Sequence, residues 1–414
     1  MAVWCAHVLL LPLNMLAVAF LLLAPFVAGA PLTTTSALNP FVTAGPDSQI
    51  TVESNGYTYV ANGNLTQNET MPYTPYGGLN TNGSIPVYAP LSDFDYESLA
   101  LALYQEYIEL DLFNYGLAQF SVEEFEAAGL NAEDRFLIEF MAEQEVGHAA
   151  AITDMLGPSA PKQCEYQYDF ETVAQFVDFC QKLTKWGEAG VYGFLPHLDS
   201  RAAAQILLQS ITTEARQQLI FRQFEGLFPM PVYFEPGIPQ SFAWTLLAPY
   251  ITGCSDDTPR LAWQNFPALN VTNNPNATAN GSNPEFLPAI TQNRTALSQP
   301  NMTIGLSFDK PGKQVGPNLT YTTSTSAGMP QFACWISQLN ATYTPLTNVT
   351  DLGDTWTAYT TQPNGTVLPE INTDGVVNGT MFIVVTDSDL FLTAHNLSFI
   401  NPHVVAGPAI YQAG

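Results

Sequence analysis

The sequence predicts a multidomain α plus β protein: an up-down four-helix bundle with a crossover, followed by a C-terminal antiparallel β-sandwich. Two patterns predict it. Between residues 92 and 228 apolar side chains recur at alternating spacings of four and three, the mark of helices with one buried face. After residue 301, Thr, Val, Phe and Tyr alternate in short runs between Gly, Pro and Asn turns, as in strands. A third observation concerns chemistry. Glu145-Val146-Gly147-His148 places a carboxylate and an imidazole on one face of an apolar helix.

Residues 8–28 form an uncharged apolar run, followed by Ala28-Gly29-Ala30 and a polar Thr/Ser segment. That order reads as a signal peptide over 1–29. An uncleaved anchor is the competing reading, because no Lys or Arg precedes the run. Residues 30–90 are rich in Thr, Asn, Gly, Pro and Tyr and read as an irregular glycosylated extension. The first long helix starts at Ser92 or Asp93 and runs to about Gln119, with Leu99, Leu103, Glu106, Leu110 and Phe113 on its stripe. Ser121 to Glu124 makes a capping box for a short helix. The second long helix, about Asn131 to Leu156, carries Ile138, Met141, Glu145, His148 and Ile152 and stops at Gly157-Pro158. The third spans about Glu171 to Leu195, and the fourth about Ser200 to Phe228, with Leu207, Glu214, Phe221 and Phe224 on its stripe. Gln240 to Ile251 adds a fifth helix. These elements make a bundle over 91–264, an Asn/Pro/Thr-rich linker over 265–300 and a β-sandwich over 301–414. Candidate strands are Gln331–Leu339, Thr355–Thr361, Thr380–Thr386 and His395–Ile400.

Net charge is −26, from 37 acidic against 11 basic residues, which argues against nucleic acid or anionic membrane as partner. Beyond the signal peptide no segment is apolar and long enough to span a bilayer, so no membrane partner is expected after cleavage. Fourteen Asn-x-Ser/Thr sites occur, and none falls between Asn82 and Asn270, which sets the helical unit apart. A secreted protein is expected, extracellular or in the cell wall, with a wall polysaccharide or a protein as possible partner. The oligomeric state stays open. Cleavage removes Cys5 and leaves Cys164, Cys180, Cys254 and Cys334, which suggests two disulfides with three possible pairings. Cys164 with Cys254 is favoured, since both flank the helices in loop-like contexts. Cys180 lies inside a helical pattern and reads equally as a buried free thiol.

An ionised carboxylate inside an apolar stripe is costly unless it is paired or bound to a cation. Glu106, Glu145 and Glu214 occupy such positions, with His148 on the face of Glu145. A di-metal bundle takes one Glu from each of two helices and Glu-x-x-His from each of the other two. Here the fourth long helix offers Glu214 followed by Gln217, not His. Glu106, Glu145, His148 and Glu214 therefore read as a remnant metal site, either without a cofactor or holding iron or manganese. Glu109 lies off the stripe of Glu106 and reads as solvated or interhelical. His197, His395 and His403 have no partner at metal spacing and read as surface or turn residues.

The four long helices resemble the secreted ferritin-like family that includes plant desiccation-related proteins, in particular its fungal stress-response and late sexual development branch. The residues that carry the resemblance are Glu106-Tyr107-Ile108-Glu109 with Phe113, Glu143-Gln144-Glu145-Val146-Gly147-His148, and Cys164-Glu165-Tyr166-Gln167-Tyr168-Asp169-Phe170. Gly187-Glu188-Ala189-Gly190-Val191-Tyr192 and Thr213-Glu214-Ala215-Arg216-Gln217 complete it. It covers roughly residues 91–255 and leaves the β-rich tail aside. It implies a lone glutamate on the third long helix, seven residues before an aromatic. Counting back from Tyr192 lands on Lys185, with Glu188 one turn further on. The chain thus departs from the implied ligand pattern at Lys185 and at Gln217. Lys185 is expected to set an ammonium among Glu106, Glu145 and Glu214, in a metal-free core bridged by Gln217. The resemblance implies a non-enzymatic protein of stress or sexual development. Two competing readings are a metal-dependent oxidoreductase using the remnant site and a carbohydrate-binding protein acting through the β-domain.

Overall fold

The computed structural model describes residues 50–54, 57–61, 87–276, 287–290, 296–364 and 379–414. The expected signal peptide over 1–29, most of the expected extension, and the Asn-x-Ser/Thr sites at 64, 68, 82, 280, 293 and 378 lie outside the described residues. The extension is not wholly irregular: β1 (Ile50–Ser54) and β2 (Tyr57–Ala61) form an antiparallel hairpin. Among the described residues no helix is long and apolar enough to cross a membrane.

Side chains that satisfy backbone N–H groups start the helices. Ser92 caps α1 (Asp93–Gln119) by accepting from the backbone N–H of Asp95. The Ser121–Glu124 capping box opens α2 (Val122–Ala127). Asn131 and Asp134 form another at the start of α3 (Ala132–Leu156), which ends at Gly157 with φ 63°. After the short β3 (Glu165–Tyr166), Thr172 caps α4 (Val173–Phe194) and Ser200 caps α5 (Arg201–Phe224). Asp95 ties two helix starts together, because its carboxylate accepts from the backbone N–H groups of Asp199 and Ser200 at 2.8 and 2.9 Å. α5 stops four residues short of the expected Phe228, at the turn around Gly226 with φ 66°, ahead of Pro229 and Pro231. α6 (Gln240–Leu247) follows, and β4 (Ile251–Gly253) pairs with β3. The Cys164–Cys254 disulfide joins those two short strands, while Cys180 and Cys334 are buried free thiols.

α4 meets the segment before α6 at backbone distance. The backbone N–H of Ile238 donates to Ala189 O at 2.9 Å, and a Cβ on Gly193 would lie 1.8 Å from Ile238 O. No rotamer relieves a clash with backbone. Gly193→Ala is expected to destabilise the protein by about 3 kcal/mol or more, measured by chemical denaturation. A loss under about 1 kcal/mol would show that the segment moves aside freely.

The C-terminal half holds two four-stranded antiparallel sheets. β5 (Leu269–Val271) pairs with β6 (Thr303–Asp309), so the expected linker over 265–300 contributes an edge strand. A small ribbon, β7 (Gln314–Val315) with β8 (Tyr321–Thr322), precedes the rest. Then come β9 (Phe332–Ser337), β10 (Asn340–Pro345), β11 (Thr347–Asp351), β12 (Thr355–Thr361), β13 (Thr380–Thr386) and β14 (Val404–Gln412). One sheet runs β10-β9-β13-β14 and the other β11-β12-β6-β5. The expected strand His395–Ile400 is instead loop leading into a 3-10 turn, Leu397–His403.

Strand alternation explains how the layers stack. Ala333, Trp335, Met381, Ile383 and Val385 pack with Ile304, Leu306 and Phe308 of the second sheet. Their neighbours Cys334, Ile336, Phe382 and Val384 join the helical core instead. The β9-β13 sheet is therefore covered on both sides, and β13 is buried at every position. Its apolar run from Met381 to Val385 is the sequence of a strand with no wet face.

Candidate metal centre

Glu106 comes from α1, Glu145 and His148 from α3, and Glu214 from α5. Their ligand atoms all lie within 4.8 Å of one another. His148 Nδ1 stands 3.0 Å from Glu145 Oε2, 3.2 Å from Glu106 Oε2 and 3.8 Å from Glu214 Oε1. The three carboxylates are buried, and the His148 side chain keeps a narrow window to solvent at 12% exposure.

The other nitrogen fixes the tautomer. Thr213 Oγ1 lies 3.1 Å from His148 Nε2 and spends its own proton on Ser210 O at 2.7 Å. The Thr213 hydroxyl therefore accepts from Nε2–H, which leaves Nδ1 to face the carboxylates. A ligating imidazole is held in the same way, through its second nitrogen.

Electrostatics follow from burial. Desolvation, then the neighbouring Glu145 charge, pushes Glu106 well above the usual carboxylate range. Desolvation, then Glu106, Glu109 and Glu145, does the same to Glu214. Burial opposes a charge on His148, but the hydrogen bond and charge of Glu145, then Glu214 and Glu109, outweigh it and raise its pKa. In the metal-free protein the cluster thus retains protons that a cation would displace.

One expectation is settled in favour of its interhelical alternative, and another needs correction. Glu109 is not solvated: it is fully buried, accepts from Gln105 Nε2 at 3.1 Å, and is raised by burial and then by Glu145. α1 is enclosed by its neighbours along most of its length, so a position off one stripe is still interior. Lys185 does not join Glu106, Glu145 and Glu214. Its ammonium donates to Glu188 Oε2 at 3.1 Å and to Glu235, from the loop before α6. Tyr192 donates to the other Glu188 oxygen at 3.2 Å. Sequence reasoning missed Glu235, which lies in a Pro-rich loop with no periodicity to flag it. Gln217 does reach the cluster, where its amide N–H donates to Glu145 Oε1. Its carbonyl oxygen is buried without a hydrogen-bond partner.

The donor set fits one divalent transition metal. Oxygen and nitrogen ligands bound at about 2.0–2.2 Å stand roughly 3 to 4.3 Å from each other. The separations between His148 and the carboxylates fall in that range, and all four ligand atoms lie within 4.8 Å of one another, so small side-chain turns close the set on one ion. A second ion finds less: Gln217 turns its amide toward Glu145, and Lys185 occupies Glu188.

Helices contributing inward Glu and Glu-x-x-His to one buried centre define a ferritin-like protein. A family model described as "Ferritin-like domain" matches residues 93–227. Protein rds1 of Schizosaccharomyces pombe (strain 972 / ATCC 24843) is 56% identical over 370 residues, spanning 86% of this chain and 90% of that protein. The chain belongs to the fungal ferritin-like family that includes protein rds1. Since the helical match ends at residue 227, that likeness extends well into the β-rich half.

Proposed function

We propose that the ferritin-like domain holds one divalent transition metal ion, iron or manganese, through Glu106, Glu145, His148 and Glu214. One observation carries the reading. Three buried carboxylates share a single imidazole, while the buried ammonium of Lys185 is spent on Glu188 and Glu235. A bound cation supplies the missing positive charge and, for iron or manganese, a one-electron couple. Around it, Thr213 orients His148 and Gln217 holds the second oxygen of Glu145. The role proposed is binding, not the two-metal oxidase chemistry that a full ligand set supports.

The protein is further proposed to be secreted and glycosylated, serving fungal stress or sexual development, as the family resemblance implies. Two features support this reading. The glycosylation-site asparagines among the described residues, Asn270, Asn276, Asn301, Asn318, Asn340, Asn348, Asn364 and Asn396, are all at least partly exposed. The chain also carries a disulfide.

Metal analysis of the full-length protein, purified without chelators, tests the metal reading. About one iron or manganese per chain is expected, lost in Glu145→Gln. Two ions per chain would favour the oxidoreductase reading, and none, with no thermal response to added Fe2+ or Mn2+, would overturn the site.

A further inference from the structure

His197 and His395 are far apart in the chain, yet their rings are in contact, with centroids 4.7 Å apart and planes 34° apart. His197 ends the 3-10 turn Leu195–His197 after α4. His395 lies in the loop between β13 and β14, just before the turn Leu397–His403. Both residues are exposed. Phe94 packs edge-on against His197 at 6.5 Å, and Trp263 packs edge-on against Phe94 at 6.2 Å. The His197 ring thus packs against an aromatic pair.

The spacing suits a shared ion. An imidazole bound at about 2.0–2.1 Å has its centroid roughly 3.2 Å from the metal. With one nitrogen of each ring turned to a common point, two such centroids separated by 4.7 Å would subtend about 95° there, close to a cis coordination angle. Partial burial, and then the neighbouring His395, hold the His197 imidazole below its ordinary pKa. The neutral form, which binds metal, therefore prevails at neutral pH.

We propose that His197 and His395 form a second metal site, separate from the bundle centre, for a divalent ion that prefers imidazole: Zn2+, Ni2+ or Cu2+. Water completes its coordination shell. Bound metal clasps the loop before β14 onto the turn that links α4 to α5. Donor chemistry separates the two centres. Neutral imidazoles select zinc, nickel and copper, whereas a carboxylate-rich set also suits manganese and iron.

The test uses the full chain, dialysed against EDTA and then titrated calorimetrically with Zn2+. Wild type is compared with His197→Ala, His395→Ala and Glu145→Gln. Each histidine variant should lose one binding event, with affinity weakened about tenfold or more, while Glu145→Gln keeps it. Hydrogen exchange over residues 390–403 should slow with Zn2+ in wild type and not in His395→Ala. Melts in EDTA should fall by no more than a few degrees in the two histidine variants, since both side chains are exposed and lose only ring contacts. Unchanged Zn2+ affinity in His395→Ala, or exchange that ignores Zn2+ in wild type, would overturn the proposal.

Discussion

Replacing Lys185 by Ala is expected to destabilise the protein by about 3–5 kcal/mol, because it strands a buried carboxylate. Lys185 and Glu188 are 1% and 0% exposed in their side chains, whereas Glu235 is 29% exposed and can turn to water. The loss therefore falls on Glu188. Burial and the Glu235 charge raise Glu188 to about 7 even with Lys185 beside it, against a lowering by Lys185 itself. Without the ammonium, Glu188 must take a proton or unfold its surroundings. A second variant separates packing from charge. Lys185→Met with Glu188→Gln removes both charges and should recover most of the stability. Equilibrium denaturation measures both, and a loss under about 1 kcal/mol in Lys185→Ala would show that water already reaches Glu188. Metal content should stay unchanged in the variants, because Lys185 contacts none of Glu106, Glu145, His148 or Glu214. Lys185→Glu should destabilise without restoring a second ion, since it sets a third carboxylate beside Glu188 and Glu235.

The metal-free protein should melt at a higher temperature at pH 5 than at pH 8. Glu97 is raised from 4.5 to about 7, first by burial and then by Asp93, against a backbone hydrogen bond from Ala262. Glu188 is likewise raised to about 7, and Glu106, Glu109 and Glu214 lie well above 4.5. Each raised carboxyl binds its proton more tightly folded than unfolded. Its contribution is complete below pH 4.5 and is lost as pH rises through its folded value, about 7 for Glu97. The Glu97 share alone amounts to about 3 kcal/mol between those limits. Melts in EDTA across this range test the sign, and a flat or rising profile would refute it. Glu97→Gln should flatten part of the slope. Added Fe2+ or Mn2+ should remove the share of Glu106 and Glu214, since a metal replaces their protons.

Much of this centre was legible in the sequence because helical period converts spacing into direction. Glu106, Glu145, His148 and Glu214 stood in apolar stripes, and the structure brings all four together. The same reasoning left two alternatives at Glu109 and misplaced Lys185, because direction does not decide environment. Glu109 points off the Glu106 stripe, but α1 has neighbours on that side too. Lys185 was assigned by counting along one helix, whereas its partner Glu235 belongs to a loop that no helical period describes. In the β-rich half, strands Thr355–Thr361 and Thr380–Thr386 were legible from their composition. The segment His395–Ile400 was misread because its apolar residues, Leu397 and Ile400, also suit a single buried turn. The pairing of His197 with His395 left no local signal, since only the docking of the loop onto the bundle creates it.

The Cys164–Cys254 bond closes a covalent ring over a separation of 90 residues, and α4, α5 and α6 lie inside it. Of the four converging side chains, only Glu214 belongs to the ring. Glu106, Glu145 and His148 belong to the free segment ahead of it. Oxidation of the cysteines thus commits one part of the chain to compactness without completing the ligand set. The proposed metal centre is complete only when α1 and α3 are docked on the ring, so metal uptake during refolding is expected to follow that docking and not the formation of helices.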